Sequence, residues 1–484
     1  METIEVDDLM AQDFGVSIAD AFERHGEELF RAREAEIVGE LLEKADGGAI
    51  ALGGGSVLSE RVRSALRRHV VVWLQIDAEE AWRRIAGTDR PLARSAADVE
   101  KLLVERLPRY EELADVVVPP GDVKRLDWAL GSIMLLAEEK TPSGAKMIWA
   151  TSKSDDYPVF VGRGLLDSSF YPFDHRVFCV TDTTVGPLYA KRLAADEVFE
   201  IEPGEEQKTL DNAHTLWKRM VEFGLTRHDN LVALGGGVVG DLAGFCGATY
   251  QRGMDVVQIP TTLVAQVDSA YGGKTGVDLP EGKNYIGAYH MPKAVIADVE
   301  TLATLPQEEL AAGFVEALKT GLLAGGALWE RVRSIPSLDP RDLDDIVFAC
   351  ARYKCEVVAE DERDSGRRQV LNLGHTVGHA IEAASGYSRY RHGEAIGLGL
   401  LAALRLSDAP ALRAEVEEVL RRHGLPTALD SAVETGAVLD ALGRDKKRTT
   451  AGVGFVLLSE PGSPRTGQLV DPAKVEAAVK ELHG

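Results

Sequence analysis

The sequence predicts a mixed α/β chain of more than one domain, in which two α/β parts are followed by an all-helical part. Three observations carry this. The 484 residues exceed what one core of roughly 100–200 residues organises. Short β-branched runs alternate with helical periodicity up to about residue 305, the rhythm of parallel sheets. Beyond Pro306 that strand signal fades.

Taken in order, a period of 3.6 from Ser17 to Lys44 predicts a first long helix, GGAIALGGGSV a strand and turn, the region near Glu60 a helix, and HVVVWLQID a strand. A helix ending near Glu139 is followed by KTPSGAKM, whose Pro, Gly and Ser read as a connector. A second α/β rhythm starts at Ile148, with VFCVTDTTV and LVALGGGVV as strands. QEELAAGFVEALKTGLL and RDLDDIVFACARYKCEVVAEDE are helical. The expected domains are therefore 1–139, a linker at 140–147, 148–305, and an all-helical 306–484.

With 45% hydrophobic and 27% charged residues the chain can build a core. A net charge of −23 argues against a nucleic-acid partner, whose backbone needs clustered cations, so an anionic small molecule must meet a local basic pocket. The acidic start METIEVDDLM and the lack of a ~20-residue apolar run predict a cytoplasmic protein. The four cysteines have neither CxxC spacing nor the density of a disulfide scaffold, and are expected reduced and packed.

The chemistry-bearing residues cluster in the second and third parts. LVALGGGVVGDLAGF puts Gly235, Gly236, Gly237 and Gly240 between a strand and a helix, where backbone can approach a pyrophosphate lying on the helix N-terminus. Such turns also occur for tight packing alone. DSAYGGKTG imitates a phosphate-cradling P-loop, but Asp268 stands where the first glycine belongs. RRQVLNLGHTVGHAIE sets His375 and His379 four residues apart on one helix face, with His392 following. Imidazoles so spaced can share a metal or can be plain core and surface residues. Glu316, in the apolar helix GFVEALKT, is a candidate carboxylate ligand, because a buried Glu without a partner is costly. Arg252, Lys274, Lys283, Lys319, Lys354, Arg368 and the Lys446–Lys447 pair are basic residues beside these segments, and suit carboxylate and phosphate.

GGGVVGDLAGF, YQRGMDVVQIPTTLVAQVDSAYGGKTGVDLPEGKNYIGAYHMP, GFVEALK and DERDSGRRQVLNLGHTVGHAIE, in order over about 335 residues, strongly resemble 3-dehydroquinate synthase. The resemblance implies a Rossmann-like domain and then a helical metal- and substrate-binding domain, in a likeness to cytoplasmic homodimers. It implies Glu316, His375 and His392 as zinc (or cobalt) ligands, and Lys319, His379, Lys274 and Arg368 as catalytic. It implies substrate contacts from Arg252, Asp268, Lys283, Asn284, Lys354, Asn372 and the Lys446–Lys447 pair. NAD contacts would come from Asp182, Thr183, Glu205, Lys208, Gly236, Gly237, Val238, Asp241, Thr261 and Thr262.

The implied reaction takes 3-deoxy-arabino-heptulosonate 7-phosphate to 3-dehydroquinate and phosphate, a step of aromatic amino-acid biosynthesis, with NAD regenerated in each turnover. Lys354, Arg368 and Asn372 would clamp the substrate carboxylate, and Lys274, Asn284 and His379 its phosphate. Another sugar-phosphate cyclase, making a carboxylate-free product, should lack that clamp. A metal-dependent alcohol dehydrogenase would release NADH stoichiometrically, and a non-catalytic scaffold would not keep the metal and basic sets.

VSIADAFERHGEELFRAREAEIVGELL, IALGGGSVL, TDRPLA and ERLPRYEELADVVV resemble shikimate kinase over residues 4–135. Asp7, Arg31, Gly54 and Arg106 match its shikimate-binding positions, Arg90 its lid arginine, and Glu5 a position commonly held by a magnesium-associated Asp. No GxxxxGK[ST] occurs in the sequence, so the donors that position ATP are missing and no kinase activity is expected of this chain. Of two readings, a chain begun downstream of a P-loop and a module kept for packing or shikimate sensing, the intact binding residues favour the first.

Overall fold

The computed structural model describes residues 3–88, 90, 92–121, 123–137, 144–166, 170, 173, 175–443, 448–449 and 452–483. The expected linker residues 140–143 lie outside them, as do Lys446 and Lys447. The chain forms two compact units, residues 1–122, 126–139 and 146–149 in the first and 123–125, 140–145 and 150–484 in the second. Among the described residues no helix is long and apolar enough to cross a membrane, and all four cysteines are buried and free.

In the first unit, β1 (Thr3–Glu5) pairs in parallel with β2 (Ala49–Ala51). A second parallel sheet orders β3 (Val72–Leu74), β4 (Val116–Val118) and the first residues of β5 (Lys146–Thr151). Within this unit the expected parallel rhythm thus falls into two groups of strands, and among the described residues no strand joins β1–β2 to β3–β4. Leu74 on β3 is 70% exposed.

Helices α1 (Val6–Phe14), α2 (Ile18–Lys44), α3 (Glu60–Leu66), α4 (Ala78–Ile85), α5 (Ala96–Leu113) and α6 (Leu126–Ala137) complete the unit. Helix α2 starts where Ser17 accepts the Asp20 amide, a side-chain cap for an orphan N–H, and kinks at Gly26. Val6, Met10, Phe30, Val38 and Leu42 from α1 and α2 share one core cluster with Val62 and Leu66 of α3.

The second unit contains a parallel sheet ordered β6 (Asp156–Gly162), β13 (Ala294–Asp298), β10 (Val256–Pro260), β9 (Asn230–Gly235), β7 (Val177–Asp182) and β8 (Glu197–Ile201). The chain runs from β7 outward to β8, then returns past β7 and runs the other way through β9, β10 and β13. The reversal between β7 and β9 is a switch point, where α/β sheets open a crevice at the carboxyl ends of their strands. Helices α7 (Gly186–Tyr189), α8 (Leu210–Glu222) and α9 (Gly237–Thr249) lie between these strands in sequence, and β11 (Lys274–Leu279) and β12 (Gly282–Tyr289) form an antiparallel hairpin.

From Gln307 onward helices dominate: α10 (Gln307–Ala324), α11 (Gly326–Ser334), α12 (Asp344–Glu360), α13 (His375–Ala384), α14 (His392–Leu406), α15 (Pro410–Arg422), α16 (Thr435–Gly443) and α17 (Pro472–Lys480). The segment is not wholly helical. Strands β14 (Arg448–Thr449), β15 (Gly452–Leu458) and β16 (Pro464–Leu469) make an antiparallel sheet. The cause is local: along β16 the residues alternate between half-buried and exposed, the period of two of a one-sided strand, and Gly462 at φ 87° permits the turn before it.

Candidate active site

Strand β9 ends in Gly235 and α9 begins at Gly237, with Gly236 as N-cap and no side chain capping the helix. The first amides of α9 therefore keep free N–H groups and the positive end of the helix dipole, a place for a phosphate. Space dictates the glycines. A Cβ at Gly235 would sit 2.7 Å from Val239, one at Gly236 3.0 Å from Thr262, and one at Gly240 2.8 Å from Gln258. Gly236, Gly237 and Asp241 line one pocket with Ser269, Lys274 and His290.

Beside this turn Lys208 is buried among carboxylates, 2.8 Å from Glu205, 3.2 Å from Asp241 and 3.8 Å from Asp278. Burial pushes Asp241 up to about 6 against the pull of Lys208, and burial would lower Lys208 but the surrounding carboxylates hold it above its ordinary value. At the end of β7, Asp182 accepts the amides of Thr184 and Val185, and Thr183 donates to Glu202. Thr261 is buried with an unpartnered hydroxyl, while Thr262 caps the Ala265 amide. Val238 is half-buried on the first turn of α9.

The second centre is built by three helices. Glu316 comes from the middle of α10 and is fully buried, and His375 and His392 are the first residues of α13 and α14. His375 Nε2 lies 3.4 Å and His392 Nε2 3.2 Å from Glu316 Oε1, and the three side chains offer ligand atoms within 4.8 Å of one another. Ligands bound at about 2.1 Å in a tetrahedral shell lie about 3.4 Å apart, so the spacing fits a zinc-like ion. Glu316 Oε2 is 2.5 Å from Lys319 Nζ and accepts no well-formed hydrogen bond.

Burial alone would raise Glu316, but Lys319, His375 and His392 hold it well below the carboxylate range. Burial and Lys319 lower His375, whereas Glu316 and Glu382 outweigh burial to raise His392 to about 10. In the metal-free protein this pair sets a pH window. His392, raised above its unfolded value, contributes stability that is complete below about 6.5 and lost as pH climbs towards 10. Glu316, lowered, contributes above about 4.5 and loses it in acid. Denaturant titration of the apo-protein should therefore show stability declining between pH 7 and 10. Metal affinity should rise over the same range, roughly tenfold per pH unit for one displaced proton, as read by chelator competition.

A cationic group adjoins this cluster. Lys319 and Lys354 both act on Asp268, which is ion-paired to Lys354, and Arg368 is near enough to help lower Lys354, whose main shift is from burial. Arg368 is 1% exposed and donates its Nη atoms to the carbonyls of Glu362 (2.7 Å) and Gly272 (3.1 Å); its Nε is buried without a partner. Its fork is thus tied to backbone. Lys283 reaches Glu205 at 3.8 Å and Glu382 at 3.7 Å, linking the two centres, and stacks over Tyr387.

The other expected contacts are more peripheral. His379 is on the exposed side of α13, 4.0 Å from Glu382, and Lys274 pairs with Asp364. Asn372 donates to the Gln369 carbonyl. Asn284, at φ 57°, donates its backbone N–H to Asp278. Arg252 is exposed in the turn before β10, at φ 68°. Glu382 was not among the expected residues, although HTVGHAIE sets it seven after His375 and three after His379, on the same helical face.

In the first unit, Arg31, Asp7 and Arg106 gather at the Gly53–Gly55 turn. A Cβ at Gly54 would meet Tyr110 Oη at 2.9 Å and Arg106 at 3.4 Å, and one at Gly55 would strike the Arg31 guanidinium at 2.5 Å. Arg31 pairs with buried Glu34, which also accepts from Ser56. Arg90 approaches Asp7 at 4.0 Å. Glu5 closes β1 and precedes α1 without capping it.

Comparison with known proteins gives these clusters a context. The family descriptions "3-dehydroquinate synthase N-terminal" and "3-dehydroquinate synthase C-terminal" match residues 198–312 and 313–448. The 3-dehydroquinate synthase of Caulobacter vibrioides is 43% identical over 355 residues, covering 67% of this chain and 95% of that protein. The chain belongs to the 3-dehydroquinate synthase family. Its first 127 residues match the shikimate kinase family.

Solved structures also resemble the synthase part. A 2-deoxy-scyllo-inosose synthase, determined with carbaglucose-6-phosphate, NAD+ and Co2+, shares 25% identity at a TM-score of 0.64, covering 70% of this chain and 99% of its own. The 2-epi-5-epi-valiolone synthase of Streptomyces hygroscopicus, with NAD+ and Zn2+ bound, shares 26% at 0.63, covering 69% and 98%. As a 3-dehydroquinate synthase family member the chain is an enzyme of the lyase class.

Proposed function

We propose that the synthase part converts 3-deoxy-arabino-heptulosonate 7-phosphate to 3-dehydroquinate and phosphate, with NAD at the Gly235–Gly237 turn and zinc or cobalt at Glu316, His375 and His392. The observation that carries this reading is the convergence of those three side chains next to the Lys319–Asp268–Lys354 charges, in a unit that also presents an uncapped helix N-terminus. When bound, NAD supplies a hydride acceptor and donor, and the metal polarises substrate hydroxyls.

The chain's own residues do the rest. The amides of α9 would hold the pyrophosphate and Lys208 would fix the carboxylates around it. Lys319 and Lys354 would face the developing negative charge, already oriented by Asp268 and Glu316, so that no reorganisation is needed as the charge appears. Lys354 and the free Nε of Arg368 suit the substrate carboxylate, and Lys274, Asn284 and His379 its phosphate. Asp182, Thr183, Thr261 and Thr262 would border the dinucleotide. We read the chain as a cytoplasmic homodimer acting on a small phosphorylated sugar acid, without nucleic-acid or membrane partners.

Incubated with the heptulosonate phosphate, NAD and Zn2+, the protein should release stoichiometric inorganic phosphate with no net rise in absorbance from NADH. Stoichiometric NADH would sink this reading and favour a simple dehydrogenase.

A further inference from the structure

The two imidazoles of the metal cluster are oriented by different acceptors. His375 Nδ1 lies 3.1 Å from the Leu373 carbonyl; a carbonyl only accepts, so Nδ1 carries a hydrogen and Nε2 is the nitrogen left to face Glu316 and a metal. His392 has no such backbone contact among those described at its ring. Its Nδ1 faces Glu382 Oε1 at 3.4 Å while its Nε2 faces Glu316 at 3.2 Å. Glu382 is 4% exposed, and a carboxylate so buried needs partners. It has His392, His379 at 4.0 Å and Lys283 at 3.7 Å. Because Glu382 stands two helical turns after His375, α13 supplies one ligand directly and faces the ring of another.

We propose that Glu382 is a positioning residue for the metal centre: it accepts the Nδ1–H of His392, fixing the tautomer and ring plane that present Nε2 beside Glu316 and His375. The proposal rests on the metal reading above. It follows from general ligand chemistry, since a carboxylate behind a metal-bound imidazole fixes its orientation and raises its basicity. The competing role is a structural ion pair with Lys283, in which Glu382 would hold the β11–β12 hairpin and leave the ligand set unaffected.

The test uses the full chain as wild type, Glu382→Gln, Glu382→Ala and, as a control, His375→Ala. Zn2+ affinity is measured by chelator competition and the Co2+-loaded proteins by their visible absorption. Glu382→Ala should bind Zn2+ about 10–100-fold more weakly. Glu382→Gln, whose amide oxygen still accepts from Nδ1, should fall between it and wild type, and both should change the Co2+ bands. Should the alanine variant not fold, the glutamine variant carries the test, its circular dichroism matched to wild type. Wild-type Zn2+ affinity and unchanged Co2+ bands in the folded variants would overturn the proposal. If wild type itself holds no Zn2+, or His375→Ala holds it equally well, the metal reading falls and takes this one with it.

Discussion

Glu316→Ala is expected to remove turnover by roughly three orders of magnitude and, independently, to destabilise the metal-free protein. Both effects follow from one buried carboxylate. As the proposed metal ligand that touches both histidines, Glu316 supports a Lewis-acid contribution of several kcal/mol, and about 4 kcal/mol is a thousandfold in rate. As the partner of Lys319, which is 1% exposed, it compensates a buried ammonium. Breaking a buried pair by removing one member costs about 3–5 kcal/mol, and the lower end applies because Asp268 still supports Lys319. Glu316→Gln keeps the shape but not the charge and should lose turnover as severely. Phosphate release and denaturant unfolding of the apo-protein check the two effects separately. Activity within tenfold of wild type would remove Glu316 from the site, and unchanged apo stability would mean that Lys319 finds another partner.

The readability of this site in the sequence followed the range of the interaction involved. Local geometry could be read: GGGVVG between a strand and a helix, two histidines one helical turn apart, and an acidic residue isolated in apolar GFVEALKT are short-range patterns, and the fold places them at β9–α9, on α13 and in the buried middle of α10. Tertiary partners could not. The family resemblance offers Arg368 as a carboxylate clamp, yet its Nη atoms are held by the Glu362 and Gly272 carbonyls, because a guanidinium buried against turns donates to the nearest acceptors. Glu382 was hidden because its importance lies in what it faces across α14. The β15–β16 hairpin was masked by the helical segments on either side, although β16 alternates cleanly. Charge balance was also illegible. A chain of net charge −23 buries Lys208, Lys319 and Lys354, and only the three-dimensional arrangement shows which carboxylates answer them.

Least visible of all were the glycines that let the three ligand-bearing helices meet, and Gly399→Ala is expected to undo that meeting. A Cβ at Gly399 of α14 would lie 2.0 Å from the carbonyl oxygen of Gly374 and 2.8 Å from the Gly378 amide. Gly374 is the N-cap of α13, immediately before His375. The obstacle is backbone, not a side chain that could swing aside, so α13 and α14 must part by about 1.5 Å before ordinary van der Waals contact is restored. Overpacking of this kind costs about 1–3 kcal/mol and occasionally more, and a displacement of ~1 Å at a reacting centre costs on the order of a hundredfold in rate. Gly393 makes the corresponding approach to α10, where a Cβ would lie 1.8 Å from the Ala312 carbonyl, one turn before Glu316. Gly436→Ala is the control, since its Cβ meets nothing within 4 Å. In α16 it should be neutral or stabilising by about 0.4–1 kcal/mol. Thermal unfolding, Zn2+ affinity and phosphate release should all fall together in Gly399→Ala and stay near wild type in Gly436→Ala. A Gly399→Ala protein that binds Zn2+ as tightly as wild type would show that the ligands do not depend on the closeness of α13 and α14.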